Sequence, residues 1–240
     1  MNQSAVNLLN SYLVHARLLP GILTAFPVLI IGYFISQDPH MDNFVDYILS
    51  VNFLGYISIS FAFLYLHSQV SRVTSKYFEN KYFRRAKGFP TTYLMAYQDS
   101  TLSSSYKDKY RAALQKCFDV SIPSVESELK DPSEAKKLLD EATGLVIAMI
   151  GEKKLVKKHN IWYGFFRNLT GGAIFGSVFS LIGIAVGAFV LSQPLLWGTC
   201  GLLLLLYAIL LVFHKPILVQ NAEAYAQKLF SEFLLEECGR

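Results

Sequence analysis

Four runs of the chain are apolar for long enough to cross a hydrocarbon core, which takes about 20 helical residues. They are Leu18 to Ser36, Val45 to His67, Leu169 to Leu191 and Leu195 to Phe213, and Lys, Arg and Glu are missing from all of them. Buried core helices imitate one such run, but four leave too little polar chain to cover them. The pattern predicts a mostly α, polytopic membrane protein with four transmembrane helices. Pro20 and Pro27 predict a kink in the first, tolerated where neighbouring helices satisfy the freed carbonyls. The 17 residues ahead of it carry one positive charge and no small-residue cleavage site, so it reads as a span and not as a signal peptide.

Between the second and third runs the pattern changes to that of a mainly helical domain. Ser68 to Arg85 continues the second span, and Lys87-Gly88-Phe89-Pro90 breaks it. Thr91 to Tyr97, β-branched and aromatic, predicts a short strand. Asp99 and Ser103 to Ser105 offer caps for a helix from Tyr106 to Cys117, and 119–131 reads as a loop with short helical turns. Asp131-Pro132-Ser133-Glu134 is a strong helix start. Behind it Ala135, Leu138, Leu139, Ala142, Leu145, Val146, Met149 and Ile150 keep helical spacing, as a core or subunit face. Pro216 to Leu235 predicts an amphipathic helix against the domain or the membrane surface.

Charge sets the orientation. The connection after the first run holds Asp38 and Asp42 without Lys or Arg, and the connection after the third holds no charge. All 22 basic residues fall on the other side, 18 of them between Arg72 and Arg167. By the positive-inside rule both termini and the central segment face the cytoplasm. The expected organisation is a cytoplasmic segment 1–17, spans 18–67, a basic cytoplasmic domain 68–168, spans 169–213 and a cytoplasmic C-terminal helix 214–240. The central domain carries 18 Lys and Arg against 11 Asp and Glu, a balance of +7. Only 17% of the chain is charged, against roughly 25% in soluble domains. The three cysteines are scattered, which suggests neither a disulfide framework nor a zinc site.

No metal-ligand pair, phosphate loop or nucleophile motif occurs, so the chain reads as a protein without catalysis, metal or cofactor. Its basic clusters have two readings. One is attraction to anionic lipid, about 1 kcal/mol per residue. The other is an anionic ligand such as an oligonucleotide or cyclic nucleotide, held by Arg84, Arg85, Lys87, Lys157, Lys158, His159 and Arg167. Tyr77, Phe78, Tyr82, Phe83, Trp162 and Tyr163 serve either as base-stacking platforms or as an interfacial belt. In the third run Asn168, Gly172, Gly176, Ser180, Gly183 and Gly187 share a helical stripe, and small residues let helices approach closely. That stripe reads as packing within one bundle, as an oligomer interface or as a pore wall. Asn52, Ser58, Gly172, Gly176, Ser177 and Ser180 are the candidate pore or interface positions. With no acid or base expected at depth, proton-coupled transport is disfavoured.

The runs GFPTTYLMAYQDSTLSSSYKDKYR, DPSEAKKLLDEATG and KKHNIWYGFFRNLTGG resemble bacterial four-span membrane effectors encoded beside nucleotidyltransferases in antiphage loci, those of Hailong systems among them. The resemblance covers residues 1–235. It implies a homo-oligomeric channel, provisionally a tetramer, held closed by single-stranded DNA or another nucleotide made by a cognate nucleotidyltransferase. Loss of that ligand would open the channel and depolarise the cell, an abortive infection; membrane lipids would be further partners. No catalytic residue carries over. The competing expectations are a membrane-anchored adaptor that recruits a cytoplasmic protein, and a lipid-acting or transport protein.

Overall fold

The computed structural model describes residues 11–37, 53–85, 88–120 and 122–238, and no strand occurs among them. The elements are α1 (Ser11–Ser36), α2 (Phe53–Arg85), α3 (Pro90–Tyr93), α4 (Ser104–Phe118), α5 (Val125–Lys130), α6 (Pro132–Ile150), α7 (Lys154–Val190), α8 (Pro194–Val212) and α9 (His214–Cys238). They group into two compact units. One, the membrane unit, comprises Met1–Glu79 and Gly164–Ile217; the other, the polar unit, comprises Asn80–Tyr163 and Leu218–Arg240.

Within the membrane unit α1, α7 and α8 are long and apolar enough to cross a bilayer, as expected of a mostly helical membrane protein. The second expected run lies only partly within view. Residues 45–52 fall outside the described residues, and the remainder opens α2. Large apolar side chains point outward: Phe189 is 87% exposed, Val212 72%, Leu195 70%. Inside sit Ala16, Ala25, Ala173, Thr24, Asn168 and Ser180. Such an arrangement would be unstable in water and is what a lipid solvent selects.

The two prolines explain two interhelical bonds. In an α-helix the N–H of residue i bonds the carbonyl of i−4, and proline has none. Pro20 therefore frees the Ala16 carbonyl and Pro27 the Leu23 carbonyl. Asn168 Nδ2, on α7, donates to Ala16 O at 2.5 Å, and Tyr207 OH, on α8, donates to Leu23 O at 2.8 Å. Just before Pro20 the helix loosens into a π turn, Val14–Leu18, closed by Leu19 N–H on Val14 O.

The polar unit packs in the ordinary sense. Tyr110 of α4 meets Phe230 and Phe233 of α9 edge to face, with ring centroids 4.8 and 5.4 Å apart. Leu94, Met95, Leu139, Val146, Ile150, Val156 and Leu229 complete the core. Thus α9 is built into this unit from Leu218 onward. On α6, Ala135, Leu139, Ala142, Val146 and Ile150 are buried as the spacing predicts, while Leu145 is 41% exposed. Ser103, Ser124 and Asp131 cap α4, α5 and α6 with their side chains. At the end of α2 the backbone turns through Gly88 (φ 102°), whose N–H closes on Phe83 O at 2.9 Å; only glycine adopts that φ readily.

The short strand expected at Thr91 to Tyr97 does not form. This segment is α3 followed by turns. Its carbonyls find side chains instead of a neighbouring strand. Lys107 Nζ donates to Ala96 O at 2.6 Å and also to Asp99 O, and Arg111 donates to Met95 O at 2.7 Å. Tyr97 N–H goes to Glu128 Oε2 at 2.9 Å. β-branching raises strand propensity but supplies no partner for the backbone.

Candidate functional site

On α4, Lys107 and Arg111 are one turn apart and share a face that points into the polar unit. Both are buried, at 1% and 6% exposure. Arg111 pairs with Glu128, reaches Pro123 O, and lies 4.1 Å from the centre of the Tyr97 ring. Burial holds the Lys107 ammonium below its usual pKa. These two cations count toward the +7 balance in the sequence, yet they are internal staples and not part of a surface for a ligand.

The predicted anion set is only partly gathered. Lys157, Lys158 and His159 stand together on the first turns of α7, ahead of its apolar stretch. Lys158 is exposed, whereas Lys157 is buried with Nζ 2.6 Å from Glu152 Oε2. His159 is half-buried, and its pKa is lowered by burial and then by Lys228 of α9 and by Lys158. That places a third cation, Lys228, in the cluster; it also pairs with Glu232 at 2.9 Å. Arg167 belongs to the membrane unit and faces Glu79 at 3.2 Å, both nearly buried. Arg84 and Arg85 end α2, their side chains outside the described residues, and Lys87 lies wholly outside them. Of the aromatics named with this set, Tyr77, Phe78 and Trp162 are exposed, while Phe83 and Tyr163 are buried in the polar unit.

The candidate pore positions are mostly taken up within one chain. A Cβ on Gly172 would meet Thr24 Oγ1 at 2.4 Å, and one on Gly176 would meet the Tyr207 ring at 2.8 Å. These glycines serve the close packing of α7 on α1 and α8. Ser177 is half-buried and donates to Ala173 O at 2.8 Å. Ser180 is fully buried, and its hydroxyl has no partner among the described residues. Ser58 is exposed on α2, and Asn52 lies outside the described residues.

The second apolar run ends at His67, which is 7% exposed inside the membrane unit, with Nε2 2.9 Å from Thr24 Oγ1 and with Phe63, Phe175 and Phe179 around the ring. Asn168 and Tyr207 are the other internal polar groups that passed unremarked as donors. A signal for them existed: each proline in α1 demands a donor four residues back, and few side chains in the other apolar runs can supply one.

A cavity of about 340 Å³ opens in the polar unit, lined by Thr92, Tyr93, Gln98, Asp99, Glu128 and Lys136 among others. Its polar groups are largely committed: Thr92 to Asp140, Tyr93 to Glu223 and Glu128 to Arg111. None of its lining residues belongs to the predicted anion set. Among the described residues no three His, Cys, Asp or Glu side chains converge as a metal site. No family model, curated protein or solved structure matches the chain.

Proposed function

We propose that the protein is a membrane effector of antiphage defence, an oligomeric pore that depolarises the bacterial inner membrane under control of an oligonucleotide. In this reading the chain has four spans, α2 supplying the second, and both termini are cytoplasmic. A partner nucleotidyltransferase supplies the ligand. The observation that carries the reading is the pair of lysines, exposed Lys158 and Lys228 of α9, gathered about His159 in the polar unit and close enough to hold its pKa down together with burial. Cations held close together repel, and a polyanion relieves that repulsion while releasing its own counterions. The resemblance to nucleotidyltransferase-linked effectors names the class of polyanion.

The test is purification in detergent without added ligand, reading the ratio of nucleic-acid to protein absorbance and the particle mass. Co-purified nucleic acid on an oligomer supports the reading, and single-stranded DNA added back should then close conductance in liposomes. Arg84→Glu with Arg85→Glu, and separately Lys158→Glu, should weaken oligonucleotide binding about tenfold or more, ~1.4 kcal/mol. Unchanged binding in both overturns the site. A second reading, the membrane-anchored adaptor, draws on Val125 and Leu129, which stand one turn apart on α5 and are 46% and 65% exposed. It predicts no conductance under any ligand condition.

A further inference from the structure

We propose that His67 is a proton-binding site near the middle of the membrane, reached along buried hydroxyls from the Arg167 end of the membrane unit. The depth follows from α7. At about 1.5 Å per residue, Arg167 to Val190 covers about 35 Å, close to a hydrocarbon thickness of about 30 Å. The rings that face His67 belong to Phe175 and Phe179, at centroid distances of 6.1 and 6.3 Å. They lie about 12 and 18 Å along that path. An ionisable side chain at such depth is rare and costly unless it has work to do.

The proton's position follows from the hydrogen bonds. Thr24 Oγ1 is 2.9 Å from Pro20 O and 3.3 Å from Gly21 O, carbonyls that only accept. Its hydrogen is directed there, so the hydroxyl receives a bond from His67 Nε2–H at 2.9 Å. The neutral ring is then the Nε2–H tautomer, and the Nδ1 lone pair is left to take the incoming proton. Besides Thr24 of α1, the ring faces Phe63, Phe175 and Phe179, none of which ionises. From α8 the titratable group nearest this level is Tyr207, bonded to Leu23 O beside Thr24. The charged groups Arg17, Arg72, Glu79 and Arg167 lie toward the other end of the path. Three aromatic rings around an imidazolium offset part of its cost by cation–π attraction.

Access comes from one side. Ser68, Ser71 and Ser75 continue from His67 along one face of α2, at 3%, 1% and 2% exposure, and Ser75 meets Asn168 Oδ1 at 3.0 Å. Among the described residues the Ser71 hydroxyl has no partner, and neither has that of Ser180 beside Phe179. Buried hydroxyls are ordinarily bonded, so an unpaired pair is where water or a proton carrier gains a bond. Toward Val190 the packing side chains lack hydroxyls: Gly183 lies against Cys200 and Ile31, and Gly187 against Leu196 and the Trp197 backbone.

The experiment is solid-state NMR of the full chain, labelled with 15N-histidine, in lipid vesicles, with His67→Gln assigning the signal. At about pH 8 the expected ring is neutral with the proton on Nε2, and acidification toward about pH 5 converts it to imidazolium. Ser71→Ala with Ser75→Ala should slow exchange of that proton with water at least about tenfold, since each step of the path loses a hydroxyl. A neutral ring protonated on Nδ1, a ring that never changes across this range, or exchange at the wild-type rate in the double variant overturns the proposal. The first two outcomes are read on the unaltered chain, so a variant that fails to fold does not shield it.

Discussion

In the polar unit the fully buried side chains are large: Tyr110, Phe230, Phe233, Leu94 and Met95. In the membrane unit they are mostly small or polar, Ala16, Ala25, Thr24, Ala173 and Ser180, with Leu196 the large exception, and most large apolar groups face outward. The difference is one of solvent. Water drives apolar area inward at roughly 25 cal/mol per Å²; lipid exerts no such drive, so the membrane unit is held by close approach and by satisfying every backbone group. Each unit also feeds stray carbonyls with long-range donors. The polar unit uses Lys107 and Arg111, which are charged, and the membrane unit uses Asn168 and Tyr207, which are neutral.

That contrast can be broken. The largest expected effect is in the polar unit: Arg111→Ala strands Glu128, 3% exposed, and should cost about 3–5 kcal/mol, measured as thermal or denaturant unfolding of the full chain in detergent. Next is the packing seam of the membrane unit. Gly176→Leu drives a side chain into the Tyr207 ring and Thr24 O, and overpacking should cost about 1–3 kcal/mol, read by the same melt. If the seam were loose, this variant would melt like wild type. Smaller is Tyr207→Phe, about 1 kcal/mol for a lost interhelical bond in a membrane. In a Pro27→Ala background residue 27 regains an N–H for Leu23 O, and the same substitution should then cost almost nothing. Equal costs in the two backgrounds would refute the proline account.

The mildest effect concerns pH. Free His159 titrates below the ordinary value of 6.5 because of burial, Lys228 and Lys158. A bound polyanion offsets those cations, so binding takes up a proton and affinity rises as pH falls below about 6.5, by at most tenfold per pH unit. Stability of the free chain runs the other way. This depressed base favours folding above about 6.5 and loses that contribution on acidification. His159→Gln should remove both trends, checked by oligonucleotide titration and melting at several pH values.

Helix positions were legible because apolar periodicity and caps act locally: Asp131 and Ser103 behave as their chemistry dictates, and Gly88 ends α2 where the Gly-Phe-Pro run suggested. Thr91 to Tyr97 misled because its fate depends on Lys107 and Arg111, cations that a linear count assigns to the surface. The ligand set was legible only as net charge. Whether a lysine is exposed, as Lys158 is, or committed, as Lys157 is to Glu152, depends on neighbours that charge counting does not rank. The glycine stripe of α7 was visible as small residues, but only the positions of Thr24 and Tyr207 show which helices it approaches.

The two proline-freed carbonyls of α1 also bear on how the chain is made. Synthesis delivers α1 first, with Ala16 O and Leu23 O bare, while their donors stand at residues 168 and 207. Until those arrive, α1 is an awkward tenant of lipid and is better kept beside the insertion machinery or in contact with water. A product truncated before α7 would leave both groups unmet and mark itself for membrane quality control. Completion of the last helices thus doubles as a checkpoint on the first.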